Sequence, residues 1–284
     1  MSRGVPKLAH GLQPVRPASP AAPWIGGKRL LAPQIVALIE RIPHSTYAEP
    51  FVGMGGVFLR RTARPRAEVI NDVNQELITL FRVLQRHYVA FIEMIRWQLS
   101  SRAEFERLAG LPPANLTDLE RGARFLYLQR LTFGGKVASR VFGVDVKTPA
   151  RFDVSRVIPL LEELHDRLAG VGIECLPYAE FIRRYDREGV LFYLDPPYWG
   201  SEDDYGRKIF GRGDFQALAD ILAGLKGMFL LSVNDRPELR EIFAAFEIKG
   251  VRTTYTVAKG PGQVAREILV SNIPGLFRAG RPRP

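Results

Sequence analysis

The chain is predicted to be α/β, a mostly parallel sheet with helices on both faces plus an inserted, mostly helical subdomain. Three observations predict this. Short apolar runs of strand length, such as Val69-Ile70 and Val190–Leu194, alternate with segments of helical periodicity. A glycine turn, Gly53-Met54-Gly55-Gly56, follows the first run, as at the first strand-to-helix junction of a doubly wound sheet. From residue 77 to about 155 the alternation stops and only helical spacing remains, which marks an insertion.

Composition narrows the setting. The 284 residues suffice for one large domain with a subdomain. Forty basic against 30 acidic residues give a formal net charge of +10, which favours a polyanionic partner, although excess charge also serves solubility. A single cysteine, Cys175, excludes an internal disulfide and is expected to be a small buried strand residue. The four histidines are scattered with no paired Cys/His spacing, so no metal is expected. No apolar run spans a bilayer and no signal peptide is recognised, so a cytoplasmic protein is expected.

Residues 1–20, with four prolines, three basic residues and no acid, are expected to form a flexible basic tail, and 276–284 a second one. Between them lie a discontinuous catalytic domain (21–80 and 155–275) and the insert (81–154). Order begins at Trp24-Ile25-Gly26-Gly27-Lys28, ahead of the helical pattern Leu30, Leu31, Ile35, Leu38, Ile39. The glycines allow close backbone approach to a ligand. On these residues alone, however, a capped helix with a solvated lysine is the better reading. A strand from Thr46 then leads through the glycine turn into an expected helix at Val57-Phe58-Leu59. The spacing is not that of the dinucleotide fingerprint G-x-G-x-x-G. Asp72 ends the second strand, 16 residues beyond Gly56. An acid there can accept both ribose hydroxyls of an adenosine, or cap the helix from Asn74; both roles can coexist.

In the insert, Phe81, Leu84, Tyr88, Phe91, Ile92 and Ile95 recur at helical spacing, and Leu116–Leu131 resumes it. Between Arg121 and Phe152 stand seven basic residues and one acid, with Phe133–Gly143 as a glycine-bounded loop or hairpin. Basic charge among aromatics suits phosphate contact and base wedging, with Arg121, Arg124, Arg130, Lys136 and Arg140 as candidates; a solvated face is the plainer alternative. The sheet pattern returns with Ile173–Leu176, Val190–Leu194 and Gly227–Ser232, separated by helices. Asn234-Asp235 ends the last of these near the same sheet edge or caps a helix before Pro237. Val251–Val257 and Arg266–Ser271 read as a terminal hairpin.

The tetrapeptide Asp195-Pro196-Pro197-Tyr198 leaves a strand at its C-terminal end, where open α/β sheets bind ligands. The two prolines hold the chain extended. A carboxylate, a free carbonyl and an aromatic face then stand together. That set suits the exocyclic amine of a nucleobase, a poor nucleophile because its lone pair is delocalised into the ring. Asp195 and the Pro196 carbonyl can accept its two N–H bonds and free the lone pair for attack. Tyr198 can stack on the base once it leaves the duplex.

In order along the chain, these pieces resemble the Dam-like family of S-adenosylmethionine-dependent DNA adenine N6-methyltransferases. Trp24, Gly26, Gly27 and Lys28 meet its W-x-G-G-K start. Glu49, Pro50, Phe51, Gly53 and Gly55 meet E-P-F-x-G-x-G. Asn71, Asp72 and Asn74 meet the N/A-D-x-N strand end, residues 195–198 are D-P-P-Y, and Ser232, Asn234 and Asp235 fit a late S-x-N-D element. The resemblance covers Trp24 to about Asn272 except much of the insert. It implies a Rossmann-like methyltransferase sheet and S-adenosylmethionine as cofactor, contacted by Trp24, Lys28, Asp72 and Asp195 and lined by Phe51, Gly53 and Gly55. Asp195, Pro196, Pro197 and Tyr198 are the implied catalytic set. Double-stranded DNA is the implied partner, in a bacterial cytoplasm or a phage-infected host, with no membrane and no metal; monomer and weak dimer stay open. The familiar N-G-x-x-R-x-N stretch is absent from the insert, so GATC specificity does not carry over, and the chain looks closer to phage or prophage forms. The alternatives are a catalytically silent DNA-binding regulator and an adenine methyltransferase acting on RNA.

Overall fold

A computed structural model of the chain describes residues 11–132, 135, 137, 140–143, 150–200, 209–255 and 263–278. The described residues open with β1 (Gln13–Pro14), α1 (Ala32–Ile39), β2 (Thr46–Glu49), β3 (Ala63–Arg64) and β4 (Ala67–Asn71). Four helices follow: α2 (Gln75–Arg86), α3 (Tyr88–Ile95), α4 (Arg102–Gly110) and α5 (Asp118–Leu131). The alternation then resumes through α6 (Val154–Leu168), β5 (Gly172–Glu174), α7 (Tyr178–Tyr185), β6 (Val190–Leu194), α8 (Arg212–Ala223), β7 (Met228–Asn234) and α9 (Pro237–Ile242). It closes on the hairpin β8 (Glu247–Tyr255) and β9 (Gln263–Ser271).

Seven strands make one sheet in the order β5-β4-β2-β6-β7-β9-β8. Neighbours are parallel from β5 through β7, and β9 runs antiparallel to both its neighbours. Every residue of β6 is buried, as a central parallel strand covered on both faces requires. Its side chains alternate between two cores. Leu191 and Tyr193 join Ile35 of α1, Leu80 of α2 and Leu161 of α6, whereas Phe192 and Leu194 join Phe181 of α7 and Phe215 of α8. The expected α/β class, with helices on both faces, is thereby observed. The inserted helices do not stand apart: Phe91, Phe105, Phe125 and Tyr127 belong to the same core as α1.

The order also sets the site. From β2 the chain steps outward to β4 and β5, and from β6 outward to β7 on the opposite side. The strand order reverses between β2 and β6, and the carboxyl ends of two such strands splay to leave a crevice. Glu49 ends one of these strands and Asp195 follows the other.

Three expectations need correction. Residues 11–20 are not a loose tail. β1 pairs with β3, Val15 N donates to Thr62 O (2.9 Å), and Ala18 and Leu12 are buried; residues 1–10 lie outside the described residues. The helix expected after the glycine turn is only a 3-10 turn, Phe58–Arg60. The chain must extend again by Ala63 to pair with β1, and Arg61 is anchored inside by Glu68 (2.7 Å). Cys175 is exposed, because it lies just past the end of the short edge strand β5. The tip of the hairpin, including Lys259, and residues 279–284 lie outside the described residues.

Candidate active site

Asp195 leaves β6 beside Lys28, whose ammonium lies 2.6 Å from its Oδ1 and is only 1 % exposed. Ser232 of β7 donates to the same Oδ1 (3.3 Å), and the Ser232 hydroxyl is bonded to that of buried Tyr193 (2.8 Å). Both contacts fall on one oxygen. Oδ2 has no partner among the described residues, and Asp195 lines a cavity of about 980 Å³. Burial pushes the Asp195 carboxyl up to about 6 against the pull of Lys28. Near neutral pH it is ionised and only partly satisfied, the condition of a group with an acceptor to offer.

Tyr198 does not point freely into solvent. Its hydroxyl accepts from Lys28 Nζ (2.7 Å) and donates to Glu267 Oε1 (2.7 Å), and Lys28 also lies 4.4 Å from its ring centroid. The next residue is fixed as well: Trp199 N donates to Asn234 Oδ1 and Asn234 Nδ2 donates to Trp199 O, each at 3.0 Å. Asn234 therefore braces the loop that follows β6. Asp235 instead pairs with Arg240 (2.6 Å), and it makes no side-chain cap for α9.

One side of the cavity is built on the glycine turn. Gly53 has φ of +48°, and a Cβ there would stand 2.6 Å from Trp24 Nε1. Only glycine lets the turn and the indole meet. Gly55 has φ of +76°, and a Cβ would stand 2.8 Å from Leu59 Cγ. Asp72 Oδ2 accepts from Gly53 N and Oδ1 from Asn74 N, both at 2.9 Å. The cap of α2 is Asn74, whose side chain accepts from Leu77 N. Asp72 thus ties the glycine turn to the strand end, and burial raises its carboxyl to about 6. Trp24, Phe51, Tyr178 and Phe210 supply aromatic surface to the same cavity, and Phe51 and Phe210 meet edge to face at 5.7 Å.

Two acids at this edge had no role in the sequence reading. Glu49, buried and lining the cavity, accepts from Tyr47 Oη (2.6 Å). Burial raises it to about 8, so it is mainly protonated at neutral pH. Glu267, also buried, arrives on the reversed strand β9 opposite Asn234. The available sequence signal for Glu267 was an acid abutting the apolar run Ile268-Leu269-Val270, inside a strand.

The basic residues of the insert go elsewhere. Arg124 is buried and donates to Leu108 O (2.7 Å) and Ala109 O (3.3 Å), carbonyls in the last turn of α4, where intrahelical donors run out. Arg121 pairs with Glu76 of α2 (2.7 Å). Arg130 lines the cavity and bonds the carbonyls of Ala21 and Arg151. Arg140 lies 5.3 Å from the Phe125 ring centroid and makes a long contact with Gln129 Oε1 (3.5 Å). Its Nε is buried without a partner among the described residues, and burial lowers the guanidinium to about 10. Lys136 lies outside the described residues. The base of this loop reaches the Trp24 segment, where Ile25 N donates to Gly135 O (3.2 Å) and Gln129 Nε2 bonds both Pro23 O and Gly135 O.

Among the described residues no cluster of His, Cys, Asp or Glu could hold a metal ion, and no helix is long and apolar enough to cross a membrane.

Comparison with known proteins bears on this geometry. Residues 24–257 match the family model of the D12 class N6 adenine-specific DNA methyltransferases. The Type II methyltransferase M1.LlaDCHI of Lactococcus lactis subsp. cremoris is 28% identical over 278 residues, covering 89% of this chain and 95% of the relative. The DNA adenine methylase of Haemophilus influenzae is 24% identical, covering 96% of each. The DNA N-6-adenine-methyltransferase of Escherichia phage P1 is 29% identical over 78% of this chain, but over only 30% of its own length.

Proposed function

The chain belongs to the D12 class of N6 adenine-specific DNA methyltransferases, and from that premise we propose that Asp195, Pro196 and Tyr198 act on an adenine turned out of duplex DNA. As an adenine-specific DNA methyltransferase it uses DNA as substrate and, as its family implies, S-adenosylmethionine as methyl donor. The readings as an RNA enzyme or a silent regulator are not favoured. We place its action in the cytoplasm, on double-stranded DNA.

The observation that carries the residue roles is the division of labour on one carboxylate. Lys28 and Ser232 hold Asp195 Oδ1, and Oδ2 is left to accept. When bound, S-adenosylmethionine supplies an electrophilic methyl group on a positively charged sulfur. Asp195 Oδ2 and the Pro196 carbonyl accept the two N–H bonds of N6, and the amine becomes more tetrahedral. The carboxylate stabilises positive charge as it develops on nitrogen. Asp195, with its carboxyl near 6, then takes the surplus proton from N6. Tyr198 stacks on the extruded base, replacing part of the stacking lost from the duplex.

The cavity fits the cofactor on its own features. Asp72 keeps lone pairs beyond its two backbone bonds for a ribose diol. Trp24, Phe51, Tyr178 and Phe210 offer flat apolar surface, and its volume of about 980 Å³ leaves room for a base beside the cofactor. For DNA, Arg140 is, among the described residues of the insert, the basic residue with an unused buried donor, and we assign it to a base edge; Lys136 is assigned to phosphate.

The test is transfer of a tritiated methyl group to DNA from a methylation-free host, followed by nucleoside analysis. Label in N6-methyladenosine is expected; label in a methylated cytosine, or none in any nucleoside, contradicts the reading.

A further inference from the structure

The network around Tyr198 contains a member that touches neither Asp195 nor the glycine turn. Glu267 enters on β9, the one reversed strand, and is 1 % exposed. Its Oε1 accepts from the Tyr198 hydroxyl at 2.7 Å, and its Oε2 lies 3.6 Å from Lys28 Nζ. Lys28 in turn reaches Asp195 Oδ1 at 2.6 Å and donates to Tyr198 Oη at 2.7 Å. One buried ammonium is therefore shared by two carboxylates and a phenol.

We propose that Glu267 is a positioning residue for methyl transfer: it clamps the Tyr198 ring in its stacking pose and shares the charge of Lys28 with Asp195. This rests on the proposed roles of Asp195 and Tyr198. A buried acid without the right partners is costly, so its place inside the sheet calls for a compensating function or contact. Its contact with Tyr198 reaches the loop after β6, and its contact with Lys28 reaches the ammonium that pairs with Asp195.

Two physical consequences follow. A phenol tied at its hydroxyl cannot swing, so the ring meets the incoming base without first losing rotamer freedom. And a carboxylate facing a wholly committed ammonium is a weaker acceptor and a weaker base. Glu267 draws on the same ammonium and keeps Asp195 competent at both tasks. The groups that bear on Asp195 are Lys28 ahead of α1, Glu49 of β2, Tyr193 of β6, Ser232 of β7 and Glu267 of β9; of these, Glu267 opposes the effect of Lys28.

Glu267→Gln removes the charge but keeps an acceptor for Tyr198. It should move the acid limb of the methyl-transfer rate to lower pH, because Lys28 then serves Asp195 alone. Glu267→Ala also frees the phenol. It should raise KM for a normally paired duplex by about tenfold, the scale of one weakened base–aromatic stack, and by less for a duplex with a mispaired target adenine. Tyr198→Phe keeps the ring and loses the clamp, so it should reproduce the KM effect even if Glu267→Ala folds poorly. A purely structural acid would change the melting temperature without moving the acid limb or distinguishing the two duplexes. The proposal is overturned if Glu267→Gln keeps the wild-type acid limb, or if Tyr198→Phe has a wild-type KM on both duplexes. Failure of the wild-type protein to methylate adenine would instead overturn the proposed reaction.

Discussion

The carboxyl edge of the sheet and the helical insert are both rich in charge, yet they use it in opposite ways. At the edge, Lys28, Glu49 and Glu267 are buried and Asp195 is half-buried beside them; Lys28, Glu49 and Asp195 line one cavity, and an oxygen of Asp195 is left to accept. In the insert, Arg121 closes on Glu76 and Arg124 closes the end of α4. Charge that completes a helix or bridges two helices is satisfied before any ligand arrives. The difference teaches that density of basic residues along a chain does not locate a binding surface. A charged group held on one side and open on the other does.

The largest expected effect breaks the edge. Asp195→Ala should reduce the single-turnover rate by roughly 10²–10³, the usual loss of a transition-state hydrogen-bond partner, while gel-shift affinity for DNA persists. A rate within tenfold of wild type would show that the carboxylate is not the acceptor. Asp72→Ala should come next, weakening S-adenosylmethionine by on the order of 1.5–3 kcal/mol through loss of a charged acceptor. Unchanged affinity by calorimetry would leave Asp72 as a brace for the glycine turn.

The insert sharpens the contrast. Arg124→Ala should destabilise folding by about 1–3 kcal/mol, since the charged bonds from a buried guanidinium to the last turn of α4 are lost. The slope of DNA affinity against salt should stay as in wild type. Arg140→Ala should do the reverse, costing about 1–3 kcal/mol on the target sequence and little on a scrambled one. If Arg124→Ala flattens the salt slope, the insert's arginines reach DNA after all.

The last effect concerns Glu49 and is read in stability alone. Its carboxyl is raised from 4.5 to about 8, so the native state holds a proton that the unfolded chain releases. The stabilisation is complete below the unfolded value and is lost as pH rises toward 8, at ~1.4 kcal/mol per unit of difference. Glu49→Gln should flatten the fall in melting temperature across that window. An identical fall in the variant would mean that Glu49 is ionised in the native protein.

Much of the edge was legible because its motifs impose local backbone geometry. Glycines at 53 and 55 and the proline pair each dictate a chain path, and apolar runs dictated the strands they join. Of the two roles open to Asp72, the helix cap falls to Asn74, whose side chain caps α2, a matter of register by two residues. Glu267 was not legible, since its role depends on β9 running back beside β7, a pairing between residues far apart in sequence. Residues 11–20 looked like a tail because prolines and missing acids mimic disorder, whereas two backbone pairs with β3 suffice to fix them. The insert misled for a related reason: periodicity placed its helices but could not show which carbonyl each guanidinium would reach.

The proposed reaction turns on an ionised, half-satisfied Asp195 that accepts the amine's N–H as the methyl group arrives. The pH dependence of single-turnover transfer, with cofactor and DNA saturating, tests it most directly. The rate should be level near neutrality and bend near 6, falling about tenfold per unit below that as Asp195 takes up a proton. A rate that stays level between about pH 5 and 8, with the protein folded throughout, would contradict it.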